Sequence, residues 1–324
     1  MLKIKASDED TFLALDIGGT NVNSGLVGRT GEILSTETFP TKKGKNTSHL
    51  LKLIIEQLKS LWSQAPPRNR PKAVAIGAPG WIKPKEGLVV VAPNIKGWKD
   101  IPITKIICQA LELPTRLEND ANLYALGEWL AGAGRGYNNQ ITVTLGTGVG
   151  GGLILNGRLW SGSFSSAAEI GHISLGDSNA LICGCGRQGC LETVASAKGM
   201  TNAAKEWLMA KKETLYSGSI EGINPEIMKS LAEQGDPMSL FVFRQAGKAL
   251  GQILCGIFNL LGLETAVIGG GASGAYEHLI GPIKEVLKAH LVTATLDEIK
   301  ILPGLLLNKA PLVGAAALLD AEGF

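Results

Sequence analysis

Three of the five cysteines lie close together in the segment ICGCGRQGC (182–190), and ten residues separate the first of them, Cys183, from His172. With Cys185 and Cys190 they offer three thiolates and one imidazole, a standard tetrahedral ligand set for structural zinc. The neighbouring glycines allow the tight turns that direct such ligands at one ion. The close pair reads C-x-C rather than the C-x-x-C of most redox sites, so the spacing favours zinc over free thiols.

The composition is that of an ordinary globular enzyme. Of 324 residues, 45% are hydrophobic and 19% charged, and a formal net charge of +2 predicts neither nucleic acid nor an anionic membrane as partner. No secretory signal is visible, and the longest apolar stretch (249–263) is too short and interrupted to span a bilayer. We therefore expect a cytoplasmic protein, in which a disulfide knot is disfavoured. Cys108 and Cys255 lie in apolar helical sequence, which predicts small core residues.

Strand-like and helical patterns alternate along the chain, which is typical of an α/β fold. The segments LALDIGGTNVNSGLV and ITVTLGTGVGGGLIL each place a Gly/Thr-rich turn between two apolar strands. These hairpins predict two similar halves, and the bare amides of their turns suit phosphate. Helices are predicted over 48–65, from near Asp120 to 134, and in a closing segment that starts at Ala310.

A dinucleotide-binding fold is the alternative that the glycines raise, because G-x-G-x-x-G occurs at 146–151 and at 269–274. A strand follows the first copy where a helix is needed. The second lies too near the end of the chain for the rest of a Rossmann sheet, and the acid expected about 20 residues later is absent. The pattern argues against a nicotinamide dinucleotide and leaves a nucleotide near the second turn open.

Over nearly its whole length the chain resembles the ROK family of sugar kinases and repressors, most closely the bacterial glucokinase branch. The resemblance rests on LDIGGTN (15–21), GAPG (77–80), APNIKGW (92–98), ENDAN (118–122), LGTGVGGG (145–152), EIGH (169–172), CGCGRQGCLE (183–192) and GGG (269–271). It implies an α/β fold of the actin-like ATPase (ribonuclease H-like) type, with two α/β domains flanking a cleft. The small domain would comprise 1–118 with a returning C-terminal helix (310–324), and the large domain 119–309 with the zinc loop.

The resemblance also implies which residues contact ATP and sugar. The ATP contacts would be two phosphate loops and an adenosine turn, formed by Asp16, Gly18, Gly19, Thr20, Asn21, Gly146, Thr147, Gly148, Gly270 and Gly271. The sugar contacts would be Gly80, Asn94, Asn119, Asp120, Glu169, His172 and Glu192. Mg²⁺ would accompany ATP near Asp16, and Zn²⁺ would be structural, bound by His172, Cys183, Cys185 and Cys190.

The implied chemistry depends on Asp120, which would accept the proton of the attacking sugar hydroxyl. Because Asp120 opens a predicted helix, it would also be the N-cap, and the helix terminus would favour its carboxylate form. His172 would place one ring nitrogen on zinc and offer the other to the sugar, with Glu192 held by the same loop. Zinc loss is therefore expected to weaken sugar binding far more than ATP binding, since the ATP loops lie elsewhere in the sequence.

The expected reaction is ATP-dependent phosphorylation of a hexose at its 6-hydroxyl, most readily glucose. Mannose, fructose, N-acetylmannosamine and N-acetylglucosamine stay open as substrates, and polyphosphate or ADP as donors. Three departures from the family pattern bear on the sugar: Ala168 replaces a frequent glycine, Asn21 a frequent lysine, and the turn 80–87 lacks a frequent acid.

The rival from another class is a sugar-responsive repressor without its DNA-binding domain. Repressors of this family carry an N-terminal helix-turn-helix, whereas the first phosphate strand here begins near Phe12. The intact phosphate loops also favour the enzyme. We expect a homodimer or homotetramer that binds a hexose and ATP, without nucleic acid or membrane.

Overall fold

The computed structural model describes residues 10–176, 181–292 and 295–324, which divide into two compact units. The first unit combines the described residues of Met1–Gly136 with Leu159–Ala167 and Asn308–Phe324. The second combines those of Tyr137–Arg158 and Ala168–Leu307. None of the helices in the described ranges has the length and apolar character needed to cross a membrane.

The first unit is built on a five-stranded sheet. Its strands are β1 (Thr11–Ile17), β2 (Asn21–Gly28), β3 (Ile33–Pro40), β4 (Val74–Ala78), β5 (Trp81–Lys83), β6 (Leu88–Val91), β7 (Lys99–Ile101) and β8 (Thr115–Asn119). Its helices up to this point are α1 (Thr47–Gln64), α2 (Ile103–Leu111) and α3 (Asp120–Ala131). The main sheet has the order β3-β2-β1-β4-β8, in which β1 and β2 form a hairpin while β1, β4 and β8 are parallel. The strands β5, β6 and β7 form a small separate sheet.

The second unit repeats this arrangement. Its strands are β9 (Gln140–Leu145), β10 (Val149–Leu155), β11 (Arg158–Leu159), β12 (Thr265–Gly269) and β13 (Lys300–Pro303). Its helices are α4 (Glu192–Ala195), α5 (Ala197–Met209), α6 (Pro225–Ala232), α7 (Pro237–Leu261) and α8 (Tyr276–His290). The sheet order is β11-β10-β9-β12-β13, with a β9–β10 hairpin and parallel β9, β12 and β13. The prediction of two similar halves is confirmed.

The predicted helix over 48–65 is confirmed as α1, and its sequence explains why it forms. Leu50, Ile54 and Leu58 recur at helical spacing and are buried in the core of the first unit. Asn46 caps the first turn, since its side chain accepts a hydrogen bond from the backbone N–H of His49 at 2.9 Å.

The two cysteines outside the cluster differ from each other. Cys255 is buried in α7, as predicted, within the core of the second unit. Cys108 is exposed, so its prediction as a core residue is wrong. The buried face of α2 is formed by Ile103, Ile107 and Leu111, and Cys108 lies one position past that stripe.

The C-terminal helix α9 (Ala310–Ala321) packs against α3 and β1 in the first unit, as the returning helix was expected to do. The two helices approach so closely that a Cβ at Gly314 would overlap the Leu123 carbonyl, and one at Gly127 the Ala310 carbonyl. Because α3 is held by α9, residues 119–136 lie in the first unit. The boundary therefore differs from the predicted one at 118, and Asp120 lies in the first unit rather than the second.

Candidate active site

The carboxyl ends of three parallel strands in the first unit place two acidic residues close together. Asp16 on β1 is in register with Gly77 on β4, and Ala78 on β4 is in register with Asn119 on β8, which precedes Asp120. A Cβ at Gly77 would lie 3.6 Å from both Asp16 Oδ1 and Asp120 Cα. Because Gly77 has no side chain, the space beside the two acids is not filled at this position. The GAPG motif alone did not predict this role for Gly77.

The environment of Asp16 makes its negative charge costly. Burial raises the pKa of Asp16 to about 7, and the charge of Asp120 adds to the effect. Asn23, the cross-strand partner of Asp16, opposes the shift by donating from Nδ2 to Asp16 Oδ2 at 3.1 Å. Two such oxygen ligands fit a hard divalent cation such as Mg²⁺, which would relieve their repulsion.

The turn into α3 is capped by Asn119 and not by Asp120. Asn119 Oδ1 accepts from the backbone N–H groups of Ala121 at 2.9 Å and Asn122 at 3.4 Å. Glu118 fixes the same turn, since its Oε1 accepts from Asn119 N–H at 2.8 Å and from Asn122 Nδ2 at 2.9 Å. The prediction of Asp120 as N-cap is wrong because β8 stays extended through Asn119. Asp120 is the first helical residue, where the helix dipole still favours its carboxylate.

The first predicted phosphate loop is held by hydrogen bonds to Thr41 and exposes its other side to solvent. Gly18 N–H donates to Asn21 O at 2.8 Å, and Thr41 contacts the loop twice, with its N–H on Thr20 O at 2.8 Å and its hydroxyl on Gly18 O at 2.6 Å. Gly19, Thr20 and Asn21 are exposed. Sequence reasoning missed Thr41, which lies in none of the motifs. Thr41 directly follows β3, and the pairing of β3 with β2 brings it to the loop.

Two predicted sugar contacts, Gly80 and Asn94, lie in the first unit near this loop. A Cβ at Gly19 would be 3.0 Å from Asn94 Cβ. Gly80 has φ 85° and meets the Val91 carbonyl so closely that no Cβ would fit. A cavity of about 470 Å³ beside Gly19 and Asn94 is also lined by three lysines, namely Lys42, Lys45 and Lys96. Their charge favours an anionic ligand at this loop.

The second predicted phosphate loop connects β9 to β10 in the second unit. Gly146 N–H donates to Gly148 O at 2.9 Å, and Thr147 at the tip is exposed. Gly270, with φ 87°, lies directly against the backbone of Leu145 at the base of this loop, whereas Gly271 faces open space. The structure therefore brings the predicted adenosine turn and the phosphate loop together.

The four predicted zinc ligands converge, with their ligand atoms all within 4.8 Å of one another. Cys185 Sγ lies 3.7 Å from Cys190 Sγ, and Cys183 Sγ lies 3.7 Å from His172 Nδ1. Tetrahedral zinc with Zn–S bonds of about 2.3 Å requires ligand separations of this size, whereas a disulfide requires about 2.05 Å. Burial raises the pKa of Cys183 to about 12, so a thiolate there needs a bound cation.

Three predicted sugar contacts lie next to this cluster. Burial raises the pKa of Glu169, opposed by His172 and reinforced by the carboxylate of Glu192, so the three side chains share one electrostatic environment. His172 directs Nδ1 at the cysteines, which leaves Nε2 to face elsewhere. Ala168, at the position where glycine is frequent, has φ 62°, a backbone conformation that glycine adopts without strain.

One premise about this region is contradicted, namely that the predicted phosphate loops are remote from the zinc loop, while the effect of zinc loss on the two substrates stays a prediction. Glu192 Oε2 accepts a hydrogen bond from Val149 N–H at 3.0 Å, and Val149 ends the second phosphate loop. The segment that carries the predicted zinc ligands therefore contacts the second predicted phosphate loop directly, although the two are far apart in sequence. The predicted site residues thus form one group in each unit.

Comparisons with known proteins agree with this geometry. The profile of the ROK family matches residues 12–322. A glucokinase of Halalkalibacterium halodurans is 34% identical over 96% of this chain and 95% of the relative. A more distant N-acetylmannosamine kinase of Escherichia coli is 30% identical over 96% and 99%. The crystal structure of a ROK family glucokinase from Streptomyces griseus with glucose and AMPPNP has a TM-score of 0.81 at 35% identity, covering 95% of this chain and 98% of that one.

The similarity extends over both sheets and over every predicted motif. The fold is the mixed α/β fold of actin-like ATPases: the α/β class confirms the prediction from the sequence pattern, and the actin-like type confirms what the family resemblance implied. A family match that spans nearly the whole described chain, together with the similar structure, leads to one conclusion: the chain belongs to the ROK family.

Proposed function

We propose that this protein is an ATP-dependent hexose kinase that phosphorylates the 6-hydroxyl of glucose. The observation that carries the proposal is the placement of Asp120 beside Asp16 at the carboxyl edge of one sheet. The sugar 6-oxygen attacks the γ-phosphorus, the bond from that phosphorus to the β,γ-bridging oxygen breaks, and ADP leaves. Asp120 takes the proton of the attacking hydroxyl.

The remaining residues have supporting roles. The backbone of Gly18–Thr20 and the backbone of Gly146–Gly148 would each bind phosphate oxygens, and the lysines near Gly19 would add positive charge. Asp16 would hold the Mg²⁺ that accompanies ATP, and this ion would neutralise charge on the transferred phosphate. The Cys₃His cluster would hold one structural zinc, which fixes the orientation of His172.

Glucose is proposed over other hexoses because the relatives at 34% and 35% identity are glucokinases, one of them with glucose bound. Glu169, His172 and Glu192 offer hydrogen-bond acceptors and a donor suited to sugar hydroxyls. The second candidate is an N-acetylated sugar such as N-acetylmannosamine, which the relative at 30% identity favours. A repressor would not need Asp120, whose position beside Asp16 favours the enzyme.

A coupled assay of ADP release over a panel of hexoses tests the proposal. Glucose, mannose, fructose, N-acetylmannosamine and N-acetylglucosamine are compared at matched concentrations, with ATP and with polyphosphate as donors; for polyphosphate, the sugar phosphate is measured. We expect the highest kcat/KM for glucose with ATP. Turnover of an N-acetylated sugar alone would select the second candidate, and no phosphorylation of any hexose would refute both. A homodimer or homotetramer stays a prediction for sedimentation analysis.

A further inference from the structure

Val149 is the first residue of β10. It is contacted by two residues that lie close in sequence to predicted zinc ligands. Its N–H donates to Glu192 Oε2 at 3.0 Å, and Glu192 is two residues beyond Cys190. Its carbonyl lies directly against Gly171, the residue before His172, so closely that a Cβ on Gly171 would overlap it. Both the N–H and the carbonyl of Val149 are thus contacted by residues close in sequence to the cluster.

Helix α4 connects the cluster to the phosphate loop: its start is bonded to a residue of the cluster, and the residues just past its end are bonded to the loop. At its start, the carbonyl of Cys190 accepts hydrogen bonds from the N–H of Thr193 at 3.0 Å and from its hydroxyl at 2.8 Å. Just past its end, Ala197 N–H donates to Gly146 O at 2.9 Å. The loop 146–149 is therefore hydrogen-bonded at both of its ends, to Ala197 through Gly146 and to Glu192 through Val149.

The two ligand-bearing segments are also paired with each other. Leu191 N–H donates to Ile173 O at 3.0 Å, and Leu175 N–H donates to Gly189 O at 2.8 Å. Since a metal at the cluster would join His172 to Cys190 as well, the segments would move as one body. Any shift of that body would be passed to Val149 through Glu192 and Gly171.

We propose that Glu192 is a positioning residue for the phosphates of the nucleotide, and that the Cys₃His cluster supports the ATP loop through it. The proposal rests on the proposed kinase function. Glu192 holds the N–H of Val149, which fixes the direction of the amides between Gly146 and Val149 that face a phosphate group. The same carboxylate is a predicted sugar contact, so one side chain connects the two substrates.

The test measures binding of AMPPNP with Mg²⁺ and without sugar, by calorimetry on the zinc-loaded protein. Glu192→Ala removes the acceptor and should weaken AMPPNP about 10- to 100-fold, as expected for loss of a hydrogen bond to a charged group. Glu192→Gln keeps an acceptor oxygen and should recover most of that affinity. Glu206→Ala removes an exposed carboxylate on α5 that is in neither predicted site, and should leave AMPPNP affinity unchanged.

A second measurement separates positioning from general damage. The backbone amide of Val149 should shift by NMR in Glu192→Ala without ligand, and should return towards the wild-type position in Glu192→Gln. If Glu192→Ala does not fold, Glu192→Met, which fills similar space without an acceptor, takes its place. Wild-type AMPPNP affinity in a folded variant that lacks the acceptor, or equal loss in Glu206→Ala, would overturn the proposal. Failure of the wild type to bind AMPPNP would instead refute the proposed ATP-dependent kinase function. In that case the NMR shift of the Val149 amide would still show whether Val149 is bonded to Glu192.

Discussion

Asp16 and Asp120 both lie close to Gly77 at the carboxyl ends of β1, β4 and β8, since a Cβ at Gly77 would be 3.6 Å from both Asp16 Oδ1 and Asp120 Cα. Burial raises the pKa of Asp16, and the negative charge of Asp120 raises it further. The pair is unfavourable in the free protein, because two carboxylates share a partly buried space. A bound Mg²⁺–nucleotide complex would remove that cost. The two carboxylates would therefore favour binding of the cation that accompanies ATP in the proposed reaction.

Asp120→Asn should lower kcat by about 10²- to 10⁴-fold, the usual contribution of a general base, because an amide cannot accept the hydroxyl proton. Sugar affinity should change little and the Tm should not fall, because Asn119 remains as the N-cap and the repulsion between Asp120 and Asp16 is removed. Steady-state kinetics and glucose calorimetry measure both quantities. Near-normal turnover by Asp120→Asn would remove Asp120 from the mechanism.

Asp16→Asn should stabilise the free protein increasingly as the pH rises from about 4 to about 7. The pKa of Asp16 is about 7 in the folded state and near 3.9 in the unfolded state, so between these values the unfolded chain binds fewer protons. Stability of the wild type therefore falls over that range, by a total of about 4 kcal/mol at 1.36 kcal/mol per pH unit. Asparagine does not titrate. Thermal melts of both proteins without Mg²⁺ or nucleotide measure the difference, and a pH-independent Tm difference would contradict this electrostatic description.

Metal analysis should find one zinc per chain, bound by the Cys₃His cluster. Cys185→Ser should lower the zinc content, because it removes one of four ligands, while Cys108→Ser, at an exposed cysteine outside the cluster, should retain it. We expect Cys185→Ser to weaken both glucose and AMPPNP, since Glu192 contacts the ATP loop. Loss of glucose affinity alone in a folded variant would restore the earlier expectation of a sugar-specific effect. A disulfide within the cluster would exclude the zinc site.

Gly148→Ala and Gly146→Ala should differ although both lie in one loop. A Cβ at Gly148 would overlap the carboxylate of Glu192, whereas a Cβ at Gly146 meets no atom within 4 Å. Neither glycine has a positive φ, so alanine is not strained by backbone conformation at either position. Gly148→Ala should therefore lower the Tm and disturb the Val149 amide, while Gly146→Ala leaves both unchanged in the free protein. Equal effects would show that Glu192 can move aside without cost.

Local patterns in the sequence were enough to predict several parts of the structure. Alternating apolar strands and glycine turns predicted the α/β class and the two similar halves, because a hairpin is specified by residues that are neighbours in the chain. The spacing of His172, Cys183, Cys185 and Cys190 predicted the cluster, since three thiolates and one imidazole within one short segment are a standard ligand set for zinc. The assignment of α9 to the first unit came from the family resemblance and not from spacing.

Other features depend on how distant segments pack, which the sequence alone did not determine. Asn119 rather than Asp120 caps α3 because the pairing of β8 with β4 extends the strand by one residue. The hydrogen bond from Val149 to Glu192 joins positions 43 residues apart, and no local pattern specifies such a pair. The sequence by itself determined the elements, the cysteine ligands and the motifs. Only the tertiary structure decided which motifs touch, because contacts between remote segments follow from sheet register and helix packing.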